Sequence, residues 1–316
     1  MARVSDRLLL LDTASLYFRA YFGIPDSITA PDGRPVNAVR GLLDFVSRLV
    51  TDREPDRVVC CWDDDWRPAW RVELLPSYKA HRVVEEQSAA PDVEETPDPL
   101  RAQVPVIVEA LDLLGVPIVG AAEHEADDVI GTLATVWPGP VDIVTGDRDL
   151  FQLVDDDAQV RVLYTARGVG NLEVVDAAWV RARYGVEPQQ YADFAVMRGD
   201  PSDGLPGVSG IGDKTAARLL TAHGDLGGIL RAAARGEGPA GKQARRLSEA
   251  GDYLTVAPRV VRVVRDLVLG SPDEPVDGRI GSWDAAAAAA FAAFAAEHGL
   301  GGSAERVVAA LTPLRR

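Results

Sequence analysis

Three short apolar runs in this chain each stop on an acid. RLLLLD ends at Asp12, RVVCCWD ends at Asp63 with Asp64 and Asp65 behind it, and VDIVTGDRD carries Asp147 and Asp149. Continuous apolar runs of this length, without alternation, read as strands buried on both faces, the condition of a parallel sheet in an α/β fold. Between the first two runs, Leu42, Leu43, Val46, Leu49 and Val50 have helical spacing. Before the third, VPVIVEALDLLGV reads as a helix and PIVG as a short strand, and after it DLFQLV turns back into a helix. The alternation predicts an α/β fold with a mostly parallel central sheet flanked by helices.

Ligands of open parallel sheets bind beyond the carboxyl ends of the strands, where Asp12, Asp63, Asp147 and Asp149 are placed. With 48 acids in 316 residues, three strands each ending in acid by chance is roughly a 1% event, even allowing for the turn preference of Asp. A further group, Glu125-Ala126-Asp127-Asp128, precedes the apolar run VIGTLATVW and falls in the first turn of its helix. One or two acids suffice there as a cap; three repel one another unless a cation sits among them. No matching set of Lys or Arg adjoins these acids to neutralise them. Oxygen ligands without clustered His or Cys point to Mg²⁺ or Mn²⁺, and their number suggests two ions, the arrangement used in phosphodiester hydrolysis. The competing reading is a set of strand-end acids that merely cap helices.

A hydrophobic content of 47% can bury a sizeable core, and the net charge of -15 excludes a chain-wide affinity for nucleic acid. Any such contact must be local. The only cysteines, Cys60 and Cys61, are adjacent and would face opposite sides of a strand, which offers neither a disulfide nor a metal-ligand spacing. No apolar stretch is long enough to span a bilayer, so a soluble cytoplasmic protein is expected.

From Trp66 to Val104 a basic, aromatic part, WRPAWRVELLPSYKAHR, gives way to an acidic, Pro-rich part that reads as poorly ordered. Tyr78 and Arg82, four residues apart, would share a helical face with Lys79 at its flank, a contact for phosphate and base. Further on, a helix from Pro188 to Arg198 ends at Gly199, and Asp200 and Asp203 follow in a tight Gly/Pro segment. The hairpin GVSGIG then opens into the helix DKTAARLL. Its glycines are spaced GxxGxG with no strand before them, so a dinucleotide fingerprint is not met. The geometry offers instead backbone N–H groups around Gly207, Ser209, Gly210, Ile211 and Gly212, with Lys214 and Thr215, as an anion site for a DNA phosphate. Lys242, Arg245 and Arg246 add a modest basic patch or a solvated face. The Ala-rich run from Ala285 to Ala296 reads as a helix capped by Asp284, and SAERVVAALTPLRR as one more.

The motifs LLLLD, CCWD, SYKAHR, EADD, TGDRDLFQLV and GDPSDGLPGVSGIGDKTA, in this order over most of residues 7 to 220, resemble the 5'-nuclease family. That family comprises the 5'-3' exonuclease domain of bacterial DNA polymerase I and the flap endonucleases. The resemblance implies that Asp12, Asp63, Glu125, Asp127, Asp128, Asp147, Asp149, Asp200 and Asp203 form the metal site, with Asp127 and Asp128 as direct ligands and Glu125 acting through water. The stretch between CCWD and SYKAHR is one residue longer than the family pattern, so Asp64 stands as an alternative to Asp63. It further implies that Tyr78, Lys79 and Arg82 lie in a helical arch over the site and act on the scissile phosphate, with Arg19 nearby. Residues 189 to 222 look like the family's helix-three-turn-helix, which grips duplex DNA and often holds a K⁺ ion through backbone oxygens.

The division that follows is a nuclease core over residues 1–185 with the arch at 66–104, a helix-three-turn-helix subdomain over 186–262, and C-terminal helices over 263–316 packing on the core. The chain ends where a polymerase would begin, so a stand-alone nuclease is expected. The expected activity is divalent-metal-dependent 5'-3' exonuclease and 5'-flap endonuclease cleavage near single-strand/duplex junctions. Its substrate is DNA, including RNA-primed strands, and a monomer working alongside DNA polymerase and ligase in replication and repair is expected. Two rivals remain: a PIN-like ribonuclease, which leaves YKAHR and the glycine hairpin unexplained, and an inactive DNA-structure-binding module.

Overall fold

The structure is a computed structural model that describes residues 6–83, 94, 96–271 and 274–315. Six strands form one sheet: β1 Leu8–Asp12, β2 Arg57–Cys61, β3 Ile118–Val119, β4 Val141–Thr145, β5 Val160–Tyr164 and β6 Glu173–Val175. They lie in the order β3-β2-β1-β4-β5-β6. Neighbours are parallel from β3 through β5, and β6 runs antiparallel to β5. The chain moves outward from β1 through β2 and β3, then returns to the far side of β1 as β4. Strand order therefore reverses between β1 and β4, which opens a crevice at their carboxyl ends.

Every residue of β1 and β4 is buried, as the unbroken apolar runs require. Alternation along β1 sends Leu8 and Leu10 to one face and Leu9 and Leu11 to the other, and divides Cys61 from Cys60 in the same way. On the Leu9 face lie helices α1 Thr13–Gly23 and α2 Asn37–Arg53, the Val104–Leu113 helix and the two last helices, Ala285–Glu297 and Gly302–Leu311. The last two dock on the Val104–Leu113 helix and α2, and Arg306 pairs with Asp44 of α2 at 2.8 Å. Asp284 caps the Ala-rich helix by accepting from the Ala287 N–H at 2.9 Å.

The Leu8 face carries the Ala126–Val136 helix and, beyond β6, the helices Tyr191–Arg198, Asp213–His223, Leu226–Ala234 and Gly251–Val261. In the turn between the first two of that later group, Gly199 and Gly207 both have positive φ, 82° and 67°. Their backbones touch: a Cβ on Gly207 would lie 2.6 Å from the Gly199 nitrogen. Only glycine fits either position.

DLFQLV is helical as expected, in the 3-10 form over Asp149–Leu153. One local expectation changes. Tyr78 and Arg82 do not share a helical face, because Lys79 takes a left-handed conformation at φ 49° and only Ala80–Arg82 coil, as a 3-10 turn. The described part of the insertion holds α3, Ala69–Leu74, this turn and a short helix, Asp98–Arg101; most of its acidic half, residues 84–93 and 95, lies outside the described residues. Among the described residues no helix is long and apolar enough to cross a membrane.

Candidate active site

The crevice between β1 and β4 opens into a cleft of about 940 Å³ whose walls include Asp12, Asp63, Glu125, Asp127 and Asp147, with Arg19, Lys79 and Arg82 facing them. Asp12 is the last residue of β1 and the N-cap of α1. Its carboxylate accepts from the Ser15 N–H at 3.1 Å and from the Thr145 hydroxyl at 2.6 Å. The same hydroxyl accepts from the Asp147 N–H at 2.8 Å, so one threonine fixes both acids across the seam. Asp63 accepts from the Ala126 N–H at 2.8 Å, which ties the β2 end to the start of the Ala126–Val136 helix. Asp64 is exposed and packs against Gly120; of the two, Asp63 lines the cleft.

Behind the cleft, a second space of about 10 Å³ is lined by Asp127, Asp147, Asp149 and Asp203, with Arg71, Tyr78, Lys79 and Glu125. Asp127 and Asp147 thus belong to both groups, with Asp12 and Asp63 on one side and Asp149 and Asp203 on the other.

Burial and mutual repulsion act on these acids as on any crowded, desolvated carboxylates. Burial pushes Asp12 up to about 6, with Asp147 adding to the rise against the Thr145 and Ser15 hydrogen bonds. Asp63 and Asp203 rise to about 7, again chiefly by burial. Asp127 and Asp149 are raised well above the ordinary range by burial and then by Asp147. Cys61 lies beneath them, its thiol held neutral by burial, so no soft thiolate joins the set. Among the described residues no three His, Cys, Asp or Glu side chains are grouped closely enough to hold an ion by themselves. A hard, hydrated divalent cation, which keeps several waters and needs only one or two carboxylates, fits this spread oxygen set.

Not every expected ligand faces the cleft. Asp128 is fully buried and turned away: its oxygens take the Arg71 guanidinium at 2.7 and 2.9 Å and the Val264 N–H at 2.8 Å. Asp128, expected as a direct ligand, is thus engaged as an ion pair with Arg71 and does not line the cleft. Asp200 is likewise occupied, by Arg148 at 3.1 Å, Arg198 at 3.0 Å and Ser202. The expectation that no cations adjoin the acids fails for the same reason. Arg71, Lys79, Arg82, Arg148 and Arg198 all pair with them, and their partners lie mostly far away in sequence, where spacing gives no signal.

The basic turn sits directly over this edge. Tyr78 is buried and its hydroxyl donates to Glu125 at 2.8 Å. Lys79 pairs with the other Glu125 oxygen and donates to the Trp66 carbonyl at 3.2 Å. With Arg71 also on Glu125 at 3.0 Å, the glutamate stays ionised: burial raises its pKa, but Lys79 and Arg71 pull it below its ordinary value. Arg82 reaches Asp203 at 3.1 Å and the Ser202 carbonyl at 2.7 Å. The left-handed Lys79 is held by its N–H to the Asp203 carbonyl at 3.0 Å, and Ser77 donates to the Gly204 carbonyl at 2.8 Å. A Cβ at Gly204, φ 71°, would fall 1.9 Å from the Ser77 oxygen. The glycine is therefore what lets the two turns meet. Arg19 lies at the rim, its Nε without a hydrogen-bond partner among the described residues.

In the glycine hairpin, Ser209, Gly210, Gly212 and Lys214 are exposed, and Gly207 and Thr215 are half-buried. The Ile211 side chain is buried in the core, so it can hold the hairpin but not touch a ligand, which narrows its expected role. At the start of the Asp213–His223 helix the Thr215 and Ala216 N–H groups donate to the Gly212 carbonyl at 2.9 and 3.0 Å, which leaves the Asp213 and Lys214 N–H groups as the ones that can meet an anion.

Residues 7–185 match the family model "5'-3' exonuclease, N-terminal resolvase-like domain", and residues 186–281 match "5'-3' exonuclease, C-terminal SAM fold". A 5'-3' exonuclease of Streptomyces coelicolor is 60% identical over 308 residues, 96% of this chain and 100% of the relative. A 5'-3' exonuclease of Mycobacterium tuberculosis is 51% identical over 277 residues, 84% of this chain and 87% of the relative. In fold, the chain is similar to the bacteriophage T5 D15 flap endonuclease, solved as a pseudo-enzyme–product complex with DNA and metal ions. That likeness has a TM-score of 0.60 at 15% identity and covers 98% of this chain and 99% of the T5 chain. With the carboxylate edge, the basic turn and the glycine hairpin in one molecule, the chain belongs to the 5'-3' exonuclease family.

Proposed function

We propose that this nuclease is a divalent-metal-dependent 5'-3' exonuclease and 5'-flap endonuclease that hydrolyses DNA phosphodiester bonds near single-strand/duplex junctions. The observation that carries the reading is the juxtaposition of Asp12, Asp63, Asp127 and Asp147 with Lys79, Arg82 and Arg19 in one cleft. Acids of this kind would hold Mg²⁺ or Mn²⁺, with Asp149 and Asp203 supplying a second position. Bound there, divalent cations supply charge neutralisation at the phosphate and activation of the attacking water.

The chain's own residues do the rest. Lys79 and Arg82 bring positive charge to the scissile phosphate and stabilise the charge that develops there. Arg19 binds a phosphate at the opposite rim. The exposed hairpin around Ser209, Gly210 and Gly212, with Lys214 and Thr215, grips the duplex backbone without reading its sequence, and K⁺ at its carbonyls would extend that grip. This local basic surface is compatible with a net charge of -15, because cations in the cleft offset the acids that dominate it. We divide the chain accordingly into a core over 1–185 with the 66–104 insertion, a DNA-binding subdomain over 186–262 and core-packing helices over 263–316. A monomer acting in the cytoplasm with polymerase and ligase, on flaps, nicked or RNA-primed strands, completes the reading.

Cleavage of a 5'-flap DNA substrate with Mg²⁺, with Mn²⁺ and with chelator tests it, run beside the same structure in RNA. Metal-dependent release of 5'-terminal DNA products is expected. Preference for RNA would favour the ribonuclease reading, and binding without cleavage the inactive module.

A further inference from the structure

Arg71 has no place in the cleft, yet it touches the group that holds Lys79. Its side chain is 3% exposed, as is that of Glu125. Glu125 and Lys79 line the 940 Å³ cleft, whereas Arg71 lines only the small space behind it. The guanidinium is anchored on three sides: to Glu125 at 3.0 Å, to Asp128 at 2.7 Å and, through Nε, to the Val260 carbonyl at 3.1 Å at the end of the Gly251–Val261 helix. Its face lies 4.5 Å from the Trp70 ring centroid. The pair on Glu125 is thus unequal. Arg71 is fixed in the interior, while Lys79 stands at the boundary between interior and cleft.

We propose that Arg71 is a positioning residue for Lys79, holding Glu125 from the interior side so that Lys79 can transfer from Glu125 to a substrate phosphate without stranding a buried carboxylate. The inference rests on the role assigned to Lys79 above. A lysine that neutralised Glu125 alone would leave a buried, unpaired charge when it moved, which is strongly unfavourable. With Arg71 and the Tyr78 hydroxyl remaining on Glu125, that penalty is removed and Lys79 is free to serve the phosphate. The exchange is a movement of one ammonium between two anions and breaks no covalent bond.

The test is a double-mutant cycle on metal-loaded enzyme with saturating 5'-flap DNA, reading kcat and KM separately. Arg71→Gln should lower kcat by about 100-fold, the scale of a misplaced catalytic group, and leave KM within about threefold. In a Lys79→Ala background the same change should cost no further kcat, because the effect of Arg71 on kcat passes through Lys79, whereas loss of its Asp128 and Val260 contacts shows in the melting curve. An equal loss in both backgrounds, or a loss confined to KM, overturns the proposal in favour of a plain structural staple. If Lys79→Ala alone leaves kcat unchanged, it is the role of Lys79 that fails, and the two failures are distinct. Arg71→Lys runs the same cycle with the charge retained should Arg71→Gln not fold, as judged by its melting curve. Retention of more activity by Arg71→Lys than by Arg71→Gln is expected.

Discussion

Asp12 and Thr145 meet at 2.6 Å across the seam between β1 and β4, the one place in the sheet where strand order reverses. The hydrogen bond joins a carboxylate at the end of one strand to a hydroxyl at the end of the next, and the same hydroxyl orients Asp147. Strand ends thus fix Asp12 and Asp147 on one edge despite their mutual repulsion.

That repulsion predicts opposite effects on activity and stability. Asp127→Asn or Asp149→Asn should abolish cleavage, because each removes a carboxylate from the edge. Each should also raise the melting temperature of the metal-free protein, since burial and neighbouring acids penalise the charged forms of both. Activity assays and thermal melts with chelator check the two halves. Wild-type rates in these variants would refute the assignment.

Stability should depend on pH with a defined sign. Asp12 is raised to about 6, and Asp63 and Asp203 to about 7, from an ordinary value of 3.8. A carboxyl raised on folding gives stability that is full below its unfolded value and is lost as pH rises through its folded value. The metal-free protein should therefore melt higher at about pH 5 than at about pH 8. Glu125, shifted the other way, affects only more acidic solutions. Added Mg²⁺ should raise the melting temperature more at the higher pH, where the acids are ionised; calorimetry at both pH values, with and without metal, measures this.

Gly204→Ala should loosen the contact between the basic turn and the acidic turn. Its φ of 71° is strained for alanine, and the added carbon would meet the Ser77 oxygen. A loss of about 1–3 kcal/mol in urea denaturation is expected, with kcat reduced because Lys79 is hung from Asp203 through this contact.

Lys214→Ala should act on binding alone. Lys214 is exposed in the first turn of the Asp213–His223 helix, away from the carboxylate edge. DNA affinity should weaken similarly for all sequences, and the salt dependence of binding should lessen by about one ion. Titrations at several salt concentrations give the slope; an unchanged slope would remove Lys214 from the phosphate contact.

Arg198→Met should strengthen metal binding. Asp200 is neutralised by Arg148 and Arg198 together, and deleting one cation leaves more negative charge for an ion to meet. Calorimetric titration with Mn²⁺ should show a severalfold lower dissociation constant than wild type, and an equal or weaker affinity would argue that Asp200 takes no part.

The sequence by itself determined the sheet, its buried strands and the acids at their ends, because continuous apolar runs and strand-end position are local properties that register in a few residues. Asp12, Asp63 and Asp147 were legible in this way, as was the opposite facing of Cys60 and Cys61; Asp127 and the Asp284 cap were legible from helix starts. Tertiary structure alone decided which acids are engaged by distant cations. Asp128, Asp200 and Asp203 look the same in sequence as Asp127, but Arg71 lies 57 residues from Asp128, Arg148 lies 52 from Asp200 and Arg82 lies 121 from Asp203. Pairing over such separations follows from how the helices pack, which no local pattern encodes. The same holds for the turn at Lys79: its helical spacing promised a shared face, and docking against Asp203 and Gly204 imposed a left-handed residue instead.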